Sequence, residues 1–297
     1  MVSQRKNRTS CGFTLTEILI VLGVISVLTA VLLPVFFAIR ESGRRTTCAS
    51  NLRQLGLSLA LYVQDSDEKH PATSIANPFQ AYPVSRDIGW AGRLYPYVKT
   101  TRTFQCPSDG NGDTGGQSQA VAISYALNLN VSAAPSLATF TAPADSVLLF
   151  EVTNDSAKIT DVEEGISPGA AGPAQTSAAG DGVNGALLNM TGVSTSRPDG
   201  ALYATGRFDN SGSADLLPTD QFAADDGRHR SGSNYLMADG HTRWLAAKGV
   251  SAGGNALSPS NPQSPQGCLI AGLGASGGYP CAEGTGGGRY RATFSVL

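Results

Sequence analysis

The sequence predicts an α+β fold: one long N-terminal α-helix packed on a β-rich, antiparallel head with long loops. Three observations lead there. Ile18 to Ile39 is a run of 22 residues without a charged side chain. Beyond it, Leu52, Leu55, Leu59 and Tyr62 recur at steps of three, four and three, the spacing of one helix face. The remainder is rich in Gly (35 in the chain) and Pro (16), with short apolar runs between them, which favours strands and loops over a helical bundle.

The first element is the apolar run. At about 1.5 Å per residue, 22 helical residues cross a hydrocarbon core about 30 Å thick. Arg5, Lys6 and Arg8 precede it with no acid before Glu17, so the N-terminus is expected to stay in the cytoplasm and the rest to be exported. A cleaved secretory signal would have a shorter apolar core and a small-residue exit. This run instead continues through Pro34 to Arg40, Arg44 and Arg45, which favours a signal anchor. Pro34 is expected to bend the helix, with Gly43 and Gly56 adding softness. The amphipathic half is expected to end near Gln64, before the acidic loop Asp65-Ser66-Asp67-Glu68.

From Phe13 to Ile39 the only ionisable side chain is Glu17. A carboxylate at a bilayer centre costs on the order of 3 kcal/mol, less near the interface, so it needs a reason. Gly12-Phe13-Thr14-Leu15-Thr16-Glu17 resembles the processing site of type IV prepilins and type II secretion pseudopilins. The resemblance implies cleavage by a prepilin peptidase between Gly12 and Phe13, N-methylation of Phe13, and Glu17 as the fifth mature residue. Thr16 stands where many members carry an aliphatic residue. In such filaments the helices bundle, and the fifth-residue carboxylate neutralises the N-terminal amine of a neighbouring subunit, recovering much of the cost of burying the charge. The competing reading is a carboxylate stabilised by the helix dipole by roughly 0.3–1 kcal/mol. The implied organisation is pilin-like: a leader (1–12), a helix (13–64, with 13–39 in the membrane or filament core and 40–64 amphipathic) and a globular head (65–297).

In the head, Ser146–Val152 (SVLLFEV) is a β-favouring apolar run and Ile123–Asn130 a weaker one. Glu163 to Asp215 is either a loop excursion or a subdomain of short strands. RATFSVL at the C-terminus is expected to be a strand. Asp239-Gly240 marks a hairpin; a two-residue loop would set Tyr235 opposite Trp244 and Leu236 opposite Arg243. His229, followed by nine residues and then Asp239-Gly240, resembles a C-terminal motif of a large prepilin-like family of planctomycetes and their relatives (DUF1559-like). Arg44–Tyr62 and Phe104–Asp109 resemble the same family.

An exported head meets an oxidising compartment. The expected bridges are Cys48–Cys106 and Cys268–Cys281, with Cys11 removed in the leader. Four cysteines permit three connectivities, and free, buried thiols are the alternative. Asp109, Asn111 and Asp113 alternate like calcium ligands, but the glycine and glutamate of an EF-hand loop are missing, so a solvated turn is favoured and calcium is a weak candidate. Asp65, Asp67 and Glu68 are read as a helix-exit loop. Asp225, Asp226, His229 and Asp239 form no ligand set of known spacing; His229 is expected to hydrogen-bond across the hairpin and hold it. A net charge of -2 gives no field for nucleic acid, and no catalytic signature such as GxSxG, HExxH or a phosphate loop occurs.

The function expected is therefore a non-enzymatic, cofactor-free structural subunit of a type II secretion or type IV pilus-like filament. Its partners would be copies of itself or related pilins, prepilin peptidase, and the secretion or pilus assembly machinery. The place expected is a single pass of the inner membrane with the head in the periplasm, or an extracellular filament. The alternative is a membrane-anchored surface protein whose head loops grip a glycan or a protein.

Overall fold

Helix α1 runs from Leu15 to Asp65, 51 residues that continue past Pro34. It belongs to a computed structural model that describes residues 14–71, 89–110, 120–132, 136–161, 177–180, 201–208, 222–264, 267–270, 274–276 and 280–297. The chain divides into two compact units between Gly43 and Arg44. In the first, the helix is long and apolar enough to cross a membrane. Its side chains are bare: Leu19, Val27, Leu32 and Phe36 are each more than half exposed. An apolar surface of that extent is a lipid or partner face.

The second unit is an α+β head. Here α1 buries Cys48, Leu52, Leu55, Leu59 and Val63, a stripe advancing by four, three, four and four residues as one helix face requires. Tyr62 is only partly buried at its edge, and Leu57 and Leu61 point outward. Gly56 is a contact point rather than a soft spot: a Cβ there would come within 2.9 Å of Leu236 Cδ1. The helix ends as the acidic loop suggests, with the Glu68 amide donating back to the Val63 carbonyl at 2.9 Å. A second helix, α2 (Trp90–Val98), was not anticipated; the Trp90 indole N–H donates to the Ala178 carbonyl at 2.8 Å.

The sheet comprises β1 (Val121–Asn128), β2 (Val147–Ala157), β3 (Ala179–Gly180), β4 (Leu202–Tyr203), β5 (Ser233–Met237) and β6 (Thr242–Leu245). Its order is β3-β1-β2-β5-β6, with β4 also pairing β2. All pairings are antiparallel except β1 with β3. The run Ser146–Val152 thus lies largely in the central strand, and Ile123–Asn130 supplies most of β1. Of the Glu163–Asp215 region, β3 and β4 are sheet strands.

Smaller pairings complete the head: β7 (Val250–Ser251), the antiparallel pair β8 (Cys268–Ile270) and β9 (Gly274–Ser276), and β10 (Ala292–Thr293), which runs parallel to β7. The expected C-terminal strand therefore shrinks to two residues.

The β5–β6 hairpin corrects the expected register by one residue. Leu236 faces Thr242, Tyr235 faces Arg243 and Asn234 faces Trp244, so the Tyr235–Trp244 pair does not form. The Met237 amide donates to the His241 carbonyl and the Gly240 amide to the Met237 carbonyl, both at 2.9 Å. The loop is therefore Ala238-Asp239-Gly240. Only Gly240 takes positive φ, 89°, as in a three-residue turn that ends in a left-handed glycine, not the two positive-φ positions of the shorter turn. Strand alternation then fixes the faces. Tyr125, Leu149 and Leu236 join the α1 core, while Phe150, Tyr235 and Met237 pack into a second core with Tyr203, Phe222 and Phe294.

Candidate functional site

Two places in the chain hold groups whose position demands a physical reason. The first is the start of α1. Gly12 and Phe13 lie outside the described residues, as does Cys11. Thr14 and Glu17 form a reciprocal cap: the Glu17 amide donates to Thr14 Oγ1 at 3.3 Å, and the Thr14 amide and hydroxyl donate to Glu17 Oε2 at 2.8 Å each. This is the capping-box arrangement, which satisfies donors that a helix start leaves orphaned. The dipole argument thus has a concrete form, and the carboxylate holds the start of the helix in a single chain.

The second place lies under α1 in the head, and alternation along β2 creates it. Leu149 sits on the helix-facing side, so Glu151, two residues on, faces the same way from the middle of the sheet. It stands opposite Tyr125 of β1 and is fully buried. His229, also fully buried, donates from Nε2 to Glu151 Oε1 at 3.0 Å. The proton sits on Nε2 because an ionised carboxylate only accepts. Asn234 Nδ2 donates to the same oxygen at 3.0 Å. The other oxygen, Oε2, has no partner among the described residues.

Burial alone would push the Glu151 carboxyl upward. The hydrogen bond and charge of His229, the Arg228 charge and the Asn234 bond outweigh it and hold the carboxyl below its usual range. Burial, and then the Glu151 charge, push the neighbouring Tyr125 and Tyr235 hydroxyls upward.

Around this pair the expected bridge forms, Cys48–Cys106, with Cα atoms 5.0 Å apart. Cys106 Sγ lies 3.6 Å from His229 Nε2. The Cys106 amide donates to Ser124 Oγ, whose hydroxyl donates to Asp109 Oδ2 at 2.7 Å. Asp109 also takes the Thr153 hydroxyl at 2.6 Å and a buried ion pair from Arg228 at 3.0 Å. Arg228 further donates to the Val152 carbonyl at 2.6 Å. Buried charges are costly unless paired and hydrogen-bonded, and here each charge has an opposite one within reach.

Other expected sites come out differently. Asp109, expected in a solvated turn or as a weak calcium ligand, has a buried carboxylate engaged by Arg228, Ser124 and Thr153. Asn111 and Asp113 lie outside the described residues. Asp225, Asp226, His229 and Asp239 do not converge. Asp225 pairs with Arg207 on the surface, and Asp239 takes the His241 backbone amide and ring nitrogen within the turn. His229 reaches the hairpin through its backbone. Its carbonyl accepts from the Trp244 indole at 3.0 Å, while its ring nitrogen Nε2 points to Glu151. The second expected bridge, Cys268–Cys281, is present. Asp65 accepts from the Tyr97 hydroxyl at 3.0 Å.

Sequence reasoning missed Glu151, Arg228 and Asn234. The signal was available for Glu151: an acid sits inside an otherwise apolar strand, in phase with Leu149. Three segments with a family resemblance meet at this cluster: Arg44–Tyr62 supplies Cys48, Phe104–Asp109 supplies Cys106 and Asp109, and the histidine of the hairpin motif closes it. That motif serves two places, since five residues of β5 span roughly 16 Å between its histidine and its Asp-Gly end.

Comparison with known families agrees with the first two of these segments. The prokaryotic N-terminal methylation motif matches residues 7–33. The family described as "Protein of unknown function (DUF1559)" matches residues 37–217, more than half of the chain and inclusive of Cys48, Cys106 and Glu151. No curated protein and no solved structure matches the chain.

Proposed function

The chain belongs to the DUF1559 family and carries a prepilin-type N-terminus, and from this premise we propose that it is a structural subunit of a type II secretion or type IV pilus-like filament. The observation that carries the reading is one continuous helix. Its first unit presents bare apolar side chains and its second is embedded in a folded head. The same surface serves twice, first against lipid and then against identical helices, because both are apolar environments that remove it from water. Prepilin peptidase cuts between Gly12 and Phe13, Phe13 is methylated, and the head stays on the periplasmic side. The subunit works by packing and charge pairing, without covalent chemistry on a substrate. The Cys48–Cys106 bridge ties the helix to the sheet, so load carried along the helix reaches the head through a covalent link as well as through the apolar stripe.

Mass analysis of the N-terminus of the native protein, joined to sedimentation of detergent-free membrane fractions, tests this. The expected species begins at methylated Phe13 and sediments as a polymer, and Gly12→Ala leaves the leader attached. A native chain that keeps its first twelve residues and never sediments refutes it.

A further inference from the structure

Cys48, Cys106, Glu151 and His229 each offer a ligand atom, all four are buried, and the four atoms lie within 4.8 Å of one another. We infer that this cluster, once its disulfide is reduced, is a binding site for one divalent cation of the zinc type, so that bridge and metal are alternative occupants of a single pocket. The ligand chemistry selects the ion. Two thiolates, one imidazole and one carboxylate make a tetrahedral set for a borderline-soft cation, whereas magnesium and calcium take oxygen.

The geometry is largely in place. With metal bonds of about 2.05 Å to nitrogen and 2.3 Å to sulfur, the nitrogen–sulfur edge of a tetrahedron is about 3.5 Å and the nitrogen–oxygen edge about 3.3 Å. The structure holds His229 Nε2 at 3.6 Å from Cys106 Sγ and 3.0 Å from Glu151 Oε1. The two sulfurs must separate, and the Glu151 carboxylate must turn Oε2 toward the ion. A second observation points to a ligand independently. Glu151 Oε2 is buried without a hydrogen-bond partner among the described residues, and an unsatisfied buried acceptor costs about 1–3 kcal/mol or more when charged. A cation taken through Oε2 would satisfy it while Asn234 keeps its bond to Oε1.

The exchange balances as follows. A dithiol reductant attacks the bridge; Cys48 and Cys106 gain two electrons and two protons as thiols, and the reductant leaves as its own disulfide. The cation then binds both sulfurs as thiolates and releases those two protons to solvent. The charged His229 also gives up its Nε2 proton to solvent and binds through Nε2 as the neutral ring, with its remaining proton on Nδ1.

The test uses the full chain in detergent micelles, carrying Cys11→Ser so that this thiol cannot contribute, reduced anaerobically with a phosphine that is then removed. Cobalt(II) is the probe. The expected result is uptake of one equivalent with tetrahedral visible bands and a thiolate charge-transfer band, both abolished by zinc and both missing from the oxidised chain. His229→Ala should weaken cobalt binding by at least about 10–100-fold, since even an outer-shell partner of a metal ligand is worth that much.

A second measurement needs no variant at the site. Zinc should shield Cys48 and Cys106 of the reduced chain from alkylation while Cys268 and Cys281 stay reactive as internal controls. Four results overturn the inference: no cobalt uptake, an octahedral spectrum without thiolate bands, equal alkylation of all four cysteines, or a reduced chain that stays unfolded with metal present.

Discussion

Lowering the pH should unfold the head through His70, and the size of the effect follows from its surroundings. His70 is buried at the exit from α1, with its ring edge-on to Phe140 at 5.6 Å between centroids. Neither ring nitrogen has a hydrogen-bond partner among the described residues. Burial therefore disfavours the imidazolium and lowers its pKa from 6.5 to about 4. Between those values the unfolded chain binds a proton that the folded chain refuses, so stability falls as pH falls. The contribution is fully present above pH 6.5 and is lost progressively down to about pH 4. At 1.36 kcal/mol per unit, the difference of 2.5 units is about 3 kcal/mol, of which about 2 kcal/mol is gone by pH 5. Denaturant titration of the full chain in micelles, followed by tryptophan fluorescence, measures it. Both tryptophans, Trp90 and Trp244, lie in the head and report on that unit alone. The comparison is with His70→Phe, which keeps the apolar contact and removes the titration. Parallel pH profiles for the two chains between pH 7 and 5 would refute the reasoning.

Removing the Cys48–Cys106 bridge with paired alanines should destabilise the head by about 4 kcal/mol, from the entropy of a 58-residue closure. Removing Cys268–Cys281, which closes 13 residues, should cost about 3 kcal/mol; denaturant midpoints that rank the two in reverse order count against the loop argument. Gly56→Ala sets a helix-propensity gain of about 1 kcal/mol against an overpacking cost of about 1–3 kcal/mol at Leu236. The midpoint should therefore fall, and should recover when Leu236→Val is added. Glu17→Ala should insert in the membrane but fail to assemble. Glu17→Gln is the sharper variant, because glutamine keeps the capping box and loses only the charge; filaments of normal yield from it, seen by sedimentation, would leave the cap as the residue's only role.

The sequence made the helix legible because apolar side chains at helical spacing mean the same thing in lipid and in a head core. Its burial stripe from Leu52 to Leu59, its end near Gln64 and both bridges could be read before any fold was known. Strand positions were readable too, but the hairpin register was not. An Asp-Gly pair fits either a two-residue or a three-residue turn, and a one-residue difference exchanges the faces of a strand. The buried cluster escaped for another reason. Glu151 carries a sign in sequence, an acid within an apolar strand, but Arg228 and Asn234 look like ordinary polar residues, and only three-dimensional pairing shows that they face inward. His229 was singled out for its motif, yet its partner lies 78 residues away, a separation no local pattern encodes.

Glu17 and Glu151 pose the same physical problem and resolve it differently. Each is a carboxylate set into an apolar run, where its charge is expensive unless an opposite charge is near. Glu151 meets that condition within its own chain, from His229 with Arg228 close by, and it therefore specifies how α1, β2 and the segment before β5 fit together. Glu17 has only the neutral donors of Thr14 among the described residues. A capping box suffices in water or at an interface, where solvent screens the charge, but not among packed apolar helices, where nothing does. Any assembly that buries Glu17 must therefore bring a cation to it. Among the atoms that every copy of a chain trimmed at Gly12 would carry at that end of the helix, the new N-terminal amine is the cation available. In the proposed filament, the same reasoning would let the charge sit at the membrane edge before assembly and set the stagger of subunits afterwards.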